Sequence, residues 1–218
     1  MLCQAMDANS TDPLAWNVPT QERSRARVAA ILEAARELAE EAGHLDLGMT
    51  DVAKRAGVPV GSVYQYFPTR AAMLGELFRR AMEPIDSSLA AGLAGVERLE
   101  DFVAGVEWQL MSSAALVRED PWLAVIFGSQ VVDPVLERAD FANSRANAEA
   151  MAEALVRVSG GAVTMEDAGP TALLICHLWG SVMRMCALLE DQAEADGLLK
   201  QYAGMIRGHV RQLANGGV

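Results

Sequence analysis

The sequence predicts an all-α protein, and three observations carry that prediction. Apolar residues make up 51% of the 218 positions, drawn from alanine, leucine, valine and methionine with only 6% aromatics. Helix-favouring residues fill long windows with few internal prolines. Through those windows apolar residues recur at helical spacing, every three or four positions.

The first helix spans about Arg23 to Ala42, where Val28, Ile31, Leu32, Ala35, Leu38, Ala39 and Ala42 make one stripe and Gly43 provides the stop. A second, barely two turns long, carries Met49, Val52, Ala53 and Ala56 and ends at Gly57. A third follows Pro59 and closes before Pro68, because the residue preceding a proline is driven out of helical geometry. A fourth begins at Thr69 or Arg70 and runs to about Met82.

Two very short helices joined by a glycine-bearing turn and flanked by longer ones are the build of a helix-turn-helix, whose second helix enters the major groove of DNA. With Val63 inward, helical steps put Phe67 at about 40°, Gly61 at 160°, Gln65 at 200° and Ser62 at 260°. Gly61, Ser62 and Gln65 therefore point outward. Tyr64 and Tyr66 flank them, where a phenol covers apolar surface and still offers its hydroxyl to a phosphate; ordinary half-buried aromatics fit the same pattern. Arg70 stands at a helix N-terminus, where a cation and exposed N–H groups together suit a phosphate. Arg23, Arg25 and Arg27 are either a basic arm or a solvated helix start.

Three stretches carry a family resemblance: Ile31-Leu32-Glu33-Ala34-Ala35 through Gly43, Asp51-Val52-Ala53-Lys54-Arg55-Ala56-Gly57-Val58, and Gly61-Ser62-Val63-Tyr64-Gln65-Tyr66-Phe67-Pro68-Thr69-Arg70. In their order and spacing they resemble the tetracycline-repressor (TetR) family of bacterial transcriptional regulators over roughly residues 25–80. The resemblance implies a three-helix DNA-binding head, a connecting fourth helix and a larger helical body that dimerises and binds a small molecule. By matched position it implies DNA contacts from Thr50, Val60, Gly61, Ser62, Tyr64, Tyr66 and Arg70. Val60 stands where lysine is common; it can meet a thymine methyl but cannot donate to guanine. Gly48 replaces the usual side-chain cap of the second helix, and Pro59 suits the first position of the third.

The expected organisation is a loose arm over residues 1–20, a helix-turn-helix domain over 21–68, a connecting helix over 69–84 and a ligand-binding and dimerisation domain over 85–218. In that last part Leu99, Phe102, Val103, Val106, Leu110 and Val117 form one stripe of a helix, and Ala104, Trp108, Met111 and Ala115 a second. A helix apolar on two sides is buried between neighbours or lines a cavity. Pro121 and Pro134 bracket a short helix or irregular connection. Long helices follow from about Pro134 to Val158, Met165 to Glu190 and Ala193 to Ala214. The expected ligand-cavity lining is Trp108, Met111, Trp122, Phe127, Phe141 and His177, bulky apolar groups with one polar ring. Gly204 and Gly208 on the last helix, with Gly180 and Ser181 on the one before, suggest close helix approach in a homodimer seam formed by the last two helices.

The net charge of −11 is unlike the basic footprint of a nucleic-acid binder. It is unevenly spread: residues 20–80 hold nine Lys/Arg against eight Asp/Glu, and residues 87–218 hold nine against seventeen. Cys3, Cys176 and Cys186 form no paired framework, and no metal ligand set or cofactor is expected. Thr171 to Leu189 is apolar but interrupted by His177, Ser181 and Arg184, so a buried helix rather than a membrane span is expected. The three histidines are scattered without a nucleophile motif, which argues against an enzyme. The expected function is a cytoplasmic DNA-binding repressor, released from double-stranded operator DNA by a small apolar or amphipathic effector. The alternative is a helical architectural DNA binder without a ligand.

Overall fold

The computed structural model describes residues 14–129 and 133–216, and among these it is helical throughout, with no strand. The elements are α1 (Glu22–Ala42), α2 (Met49–Arg55), α3 (Val60–Tyr66), α4 (Arg70–Ala94), α5 (Leu99–Glu119), α6 (Pro121–Ser129), α7 (Pro134–Val158), α8 (Met165–Leu188) and α9 (Gln192–Ala214). Two compact units result. One holds the chain up to Ala81 together with Gly128–Ala139; the other holds Met82–Phe127 and Asp140–Val218.

In the first unit α1 buries Val28, Ile31, Leu32, Ala35 and Ala39 of the expected stripe, while Leu38 is half-buried and Ala42 exposed. It ends where Gly43 takes the left-handed conformation (φ 71°) and donates its N–H to the Ala39 carbonyl, a geometry that costs any residue with a Cβ. α2 and α3 are both seven residues long, too short to hold in isolation, so packing must fix them. Met49, Val52 and Ala53 of α2 and Val63 of α3 are buried, and Phe67 beyond α3 has no exposed surface. Full burial of such a ring contributes roughly 1.5–3 kcal/mol. Pro59 sits at the N-cap of α3 rather than at its first helical position, and its carbonyl accepts from the Ser62 N–H.

Residues 14–20 of the expected loose arm are anchored; residues 1–13 lie outside the described part. Trp16 stacks on Phe67 at 5.1 Å between centroids. Asn17 donates its backbone N–H to the Tyr66 carbonyl (2.8 Å) and its side-chain amide to the Gln65 carbonyl, occupying the acceptors at the end of α3.

α4 continues well past the expected end near Met82, running through Pro84. A proline inside a helix removes one backbone bond, but burial of Ile85 and Leu93 on the far side holds the following turns in place.

In the second unit α5 packs against α8 and α9, and α8 against α9. The first stripe of α5 is buried as expected. The second is not: Trp108 is 62% exposed and Ala104 is exposed, so this helix has one inward face. The region between Pro121 and Pro134 begins as a regular helix, α6, with Ile126 and Phe127 fully buried. α8 is long and apolar enough to cross a bilayer by length and composition. Here it buries Ala168, Ala172, Val182 and Met183 and exposes Leu174, Leu178, Met185 and Leu188.

Candidate functional site

The first site is the outward face of α3. Val63, Tyr66 and Phe67 anchor the helix, while Val60 (41% exposed), Gly61, Tyr64 (49% exposed) and Gln65 face away from the core. Thr50, near the start of α2, is also exposed and Ser62 is half-buried. Beyond Gly61 there is open space: a Cβ built on it would meet nothing within 4 Å. The surface is thus small at its centre, with a phenol at its edge.

Two expectations change here. Tyr66 does not point outward but is 6% exposed, because it lies about 60° from Val63 and so falls within the buried arc. Arg70 is engaged inside the unit. Its Nη2 donates to the Leu45 carbonyl (2.6 Å), its Nη1 lies 3.3 Å from Asp133 Oδ2, and Asp46 Oδ1 is 3.6 Å away. Its Nε is buried without a hydrogen-bond partner among the described residues. The guanidinium thus ties the start of α4 to the α1–α2 connection and to the residue preceding α7.

The second site is a cavity within the second unit. It encloses about 600 Å³ of empty space, mouth included. Met82, Ile85, Asp86 and Leu89 of α4, Val106 and Leu110 of α5, Ile175, Cys176 and Trp179 of α8, and Tyr202 and Ile206 of α9 form much of its wall. From α7 come Asp140, Asn143, Ser144, Asn147 and Met151.

None of the six expected lining residues belongs to that wall. Trp108 borders a neighbouring, smaller apolar pocket with Ser88, Gly92 and Phe102. Trp122 and Phe127 are plain core, the latter set edge-on to Trp179 at 5.5 Å. Met111 is half-buried elsewhere on α5, and Phe141 is 44% exposed, edge-on to His177. His177 Nδ1 lies 3.3 Å from Ser144 Oγ and 3.5 Å from Asp140 Oδ2, behind two wall residues rather than in the wall. Bulky aromatics are the most readily buried groups, so most of them fill core instead of leaving space. The missed signal was on α7, whose stripe at 140, 143, 144, 147 and 151 is Asp, Asn, Ser, Asn and Met where a core helix carries aliphatics.

The polar groups of the cavity differ in their commitments. Gln109 is fully occupied, donating to the Ile85 carbonyl and to Ser113 Oγ and accepting from Ser88 Oγ. The Tyr202 hydroxyl donates to the Ile175 carbonyl (2.6 Å), and burial pushes its pKa up. Burial also pushes the Cys176 thiol up to about 12. Asp86 Oδ1 accepts from both Asn147 Nδ2 (2.7 Å) and Asn143 Nδ2 (3.1 Å). Desolvation raises the Asp86 pKa above its ordinary value, the two amides oppose this, and nearby Glu83 adds to it. Asp140 is likewise raised by burial, with His177 and Arg184 pulling it back. The Trp179 indole N–H is buried without a partner among the described residues.

A short helix-turn-helix followed by a helical body with an internal cavity defines the class by its fold: an all-α protein of the helix-turn-helix kind. The profile described as bacterial regulatory proteins, tetR family, matches residues 31–77. The HTH-type transcriptional repressor KstR of Mycobacterium tuberculosis is 33% identical over 138 residues, 59% of this chain and 62% of that protein. KstR of Rhodococcus jostii is 38% identical over 76 residues, 35% of this chain and 34% of that one. The chain thus spans less than two thirds of the length of these curated relatives. Among solved structures, SmeT, the repressor of a multidrug efflux pump of Stenotrophomonas maltophilia, matches with a TM-score of 0.66 at 19% identity, covering 86% of this chain and 92% of that one. A TetR-family regulator from Pectobacterium atrosepticum matches at 0.64 and 21%, covering 89% and 97%. These two structures share the fold over 86% and 89% of this chain.

Proposed function

We propose that this protein is a cytoplasmic transcriptional repressor that holds double-stranded operator DNA through α2 and α3 and leaves it when a small apolar or amphipathic effector enters the cavity of the second unit. The observation that carries the reading is the two-sidedness of α3. Val63, Tyr66 and Phe67 hold it down, and Val60, Gly61, Tyr64 and Gln65 face outward over open space. The KstR relatives, named as repressors, support the same direction of regulation.

The cavity supplies the second half. α4 begins at Arg70 beside the helix-turn-helix and four turns later contributes Asp86 to the cavity wall; α7 begins beside Asp133 and then contributes Asp140 and Asn147. Two helices therefore carry residues of both units along continuous backbone, a physical route for linkage between effector and operator. A second copy of the chain is the proposed cover for the exposed stripe Leu174, Leu178, Met185 and Leu188 of α8. Gly204 and Gly208 of α9 likewise have nothing within 4 Å of a would-be Cβ among the described residues. A two-fold dimer presents two α3 helices to a roughly palindromic site.

The test is a salt-dependent gel-shift titration with DNA from upstream of the gene, with and without compounds that raise the melting point. Saturable binding that a stabilising compound weakens is expected. Reciprocity requires operator DNA to weaken compound binding by the same factor; equal compound affinity with and without DNA refutes the scheme.

A further inference from the structure

The effector cavity carries a charge pattern that selects among amphipathic molecules. This step rests on the reading of the cavity as an effector site and goes on to the chemistry of the effector. Asp86 is a half-buried carboxylate in a wall otherwise dominated by Met82, Ile85, Leu89, Val106 and Ile175. Its hydrogen-bonding neighbours are neutral: Asn143 and Asn147 both donate to Oδ1, so neither occupies Oδ2. The charged group acting on it is Glu83, of the same sign. Asp140, by contrast, has His177 and Arg184 as positive neighbours. Among the described wall residues none is lysine, arginine or histidine. A carboxylate withdrawn from water without a counter-cation is costly, and a ligand that brings the missing cation removes that cost while its apolar body covers the aliphatic wall.

We infer that the effector is an amphipathic organic cation, an apolar body bearing an ammonium group that pairs with Asp86. The same wall disfavours organic anions, because a ligand carboxylate would meet Asp86, and no positive side chain stands among the described wall residues to receive it. Met82 and Met151 are unbranched and adaptable, which lets the cavity adjust around the apolar body.

The test compares three probes that share one apolar body, 4-phenylbutylamine, 4-phenylbutan-1-ol and 4-phenylbutyrate, by calorimetric titration of the full chain and of Asp86→Asn at pH 7. The expected result for the native protein is at least tenfold tighter binding of the amine than of the alcohol, with the carboxylate weakest. In Asp86→Asn, whose amide oxygen still accepts from Asn143 and Asn147, the amine-to-alcohol ratio is expected to fall to about one. The native three-way comparison stands whether or not the variant folds. Binding of the alcohol or carboxylate as tightly as the amine, or a ratio that survives in Asp86→Asn, overturns the cation assignment and leaves the effector reading intact. Binding of none of the three by the native protein overturns the effector reading and the assignment together.

Discussion

Arg70 and Asp133 meet at 3.3 Å, joining the first residue of α4 to the residue just before α7, 63 positions apart in the chain. The same guanidinium donates to the Leu45 carbonyl at 2.6 Å, so one side chain holds three separate segments of the first unit. Position alone suggests a phosphate contact for Arg70; the geometry makes it also an internal tie.

Arg70→Ala is therefore expected to reduce stability as well as operator affinity. With the guanidinium about a third exposed, solvent screening limits the loss to about 1 kcal/mol. Arg70→Lys keeps the charge but loses the fork that serves Leu45 and Asp133 at once, so it recovers only part of either. Urea unfolding read beside gel shifts checks this; unchanged stability in Arg70→Ala would remove the internal role.

Gly61→Ala separates folding from binding. The position is helical with open space above it, so alanine is expected to stabilise the free protein by roughly 0.5–1 kcal/mol. If a duplex lies against this backbone, operator affinity falls in the same variant. A gain in melting point with undiminished operator binding would place the duplex elsewhere.

Tyr64→Phe removes one exposed hydroxyl and leaves the core untouched. A lost hydrogen bond to phosphate of about 0.5–1.5 kcal/mol corresponds to operator binding roughly two- to twelvefold weaker. The same change at Tyr66, which is buried, is expected to leave operator affinity unaltered; filter-binding titrations of both variants distinguish the two tyrosines.

Asp86 makes stability depend on pH in a defined direction. Its folded pKa lies above its unfolded value near 3.8, so the native state binds its proton more tightly. The stability this adds is present below pH 3.8 and is lost as pH rises through the folded pKa. Asp86→Asn cannot ionise, and its stability relative to the native protein is expected to improve between pH 4 and pH 7. Thermal melts across that range check the sign; a relative loss with rising pH would contradict it.

Trp16→Ala is expected to destabilise the first unit by about 2 kcal/mol, from lost burial and the lost stack on Phe67. Chemical unfolding measures it, and an unchanged midpoint would mean the stack contributes nothing.

Much of the first unit was legible because its signals are local. The α1 stripe, Gly43 and the inward pair Val63 and Phe67 follow from helical spacing and from what glycine alone does cheaply. The expected end of the fourth helix near Met82 fell short, because burial of Ile85 and Leu93 carries α4 on through Pro84. Tyr66 was misplaced by treating both tyrosines alike, although its angular position already lay on the buried side. The cavity was hidden for a different reason: aromatic size marks what gets buried, not where space remains. Its imprint was the run of amides and acids on the inward stripe of α7, and its partner, Asp86, sits on another helix 57 and 61 residues away from Asn143 and Asn147.

Asn17 reaches the end of α3 from 48 positions earlier in the chain. Seven residues cannot sustain a helix unaided in water, so the stiffness of the outward surface is borrowed from a stretch whose composition resembles a tether. Truncations that start at the first helix would keep every outward-facing side chain and yet leave that surface to fray, and lost operator affinity in such a fragment would measure an ordering entropy rather than a missing contact.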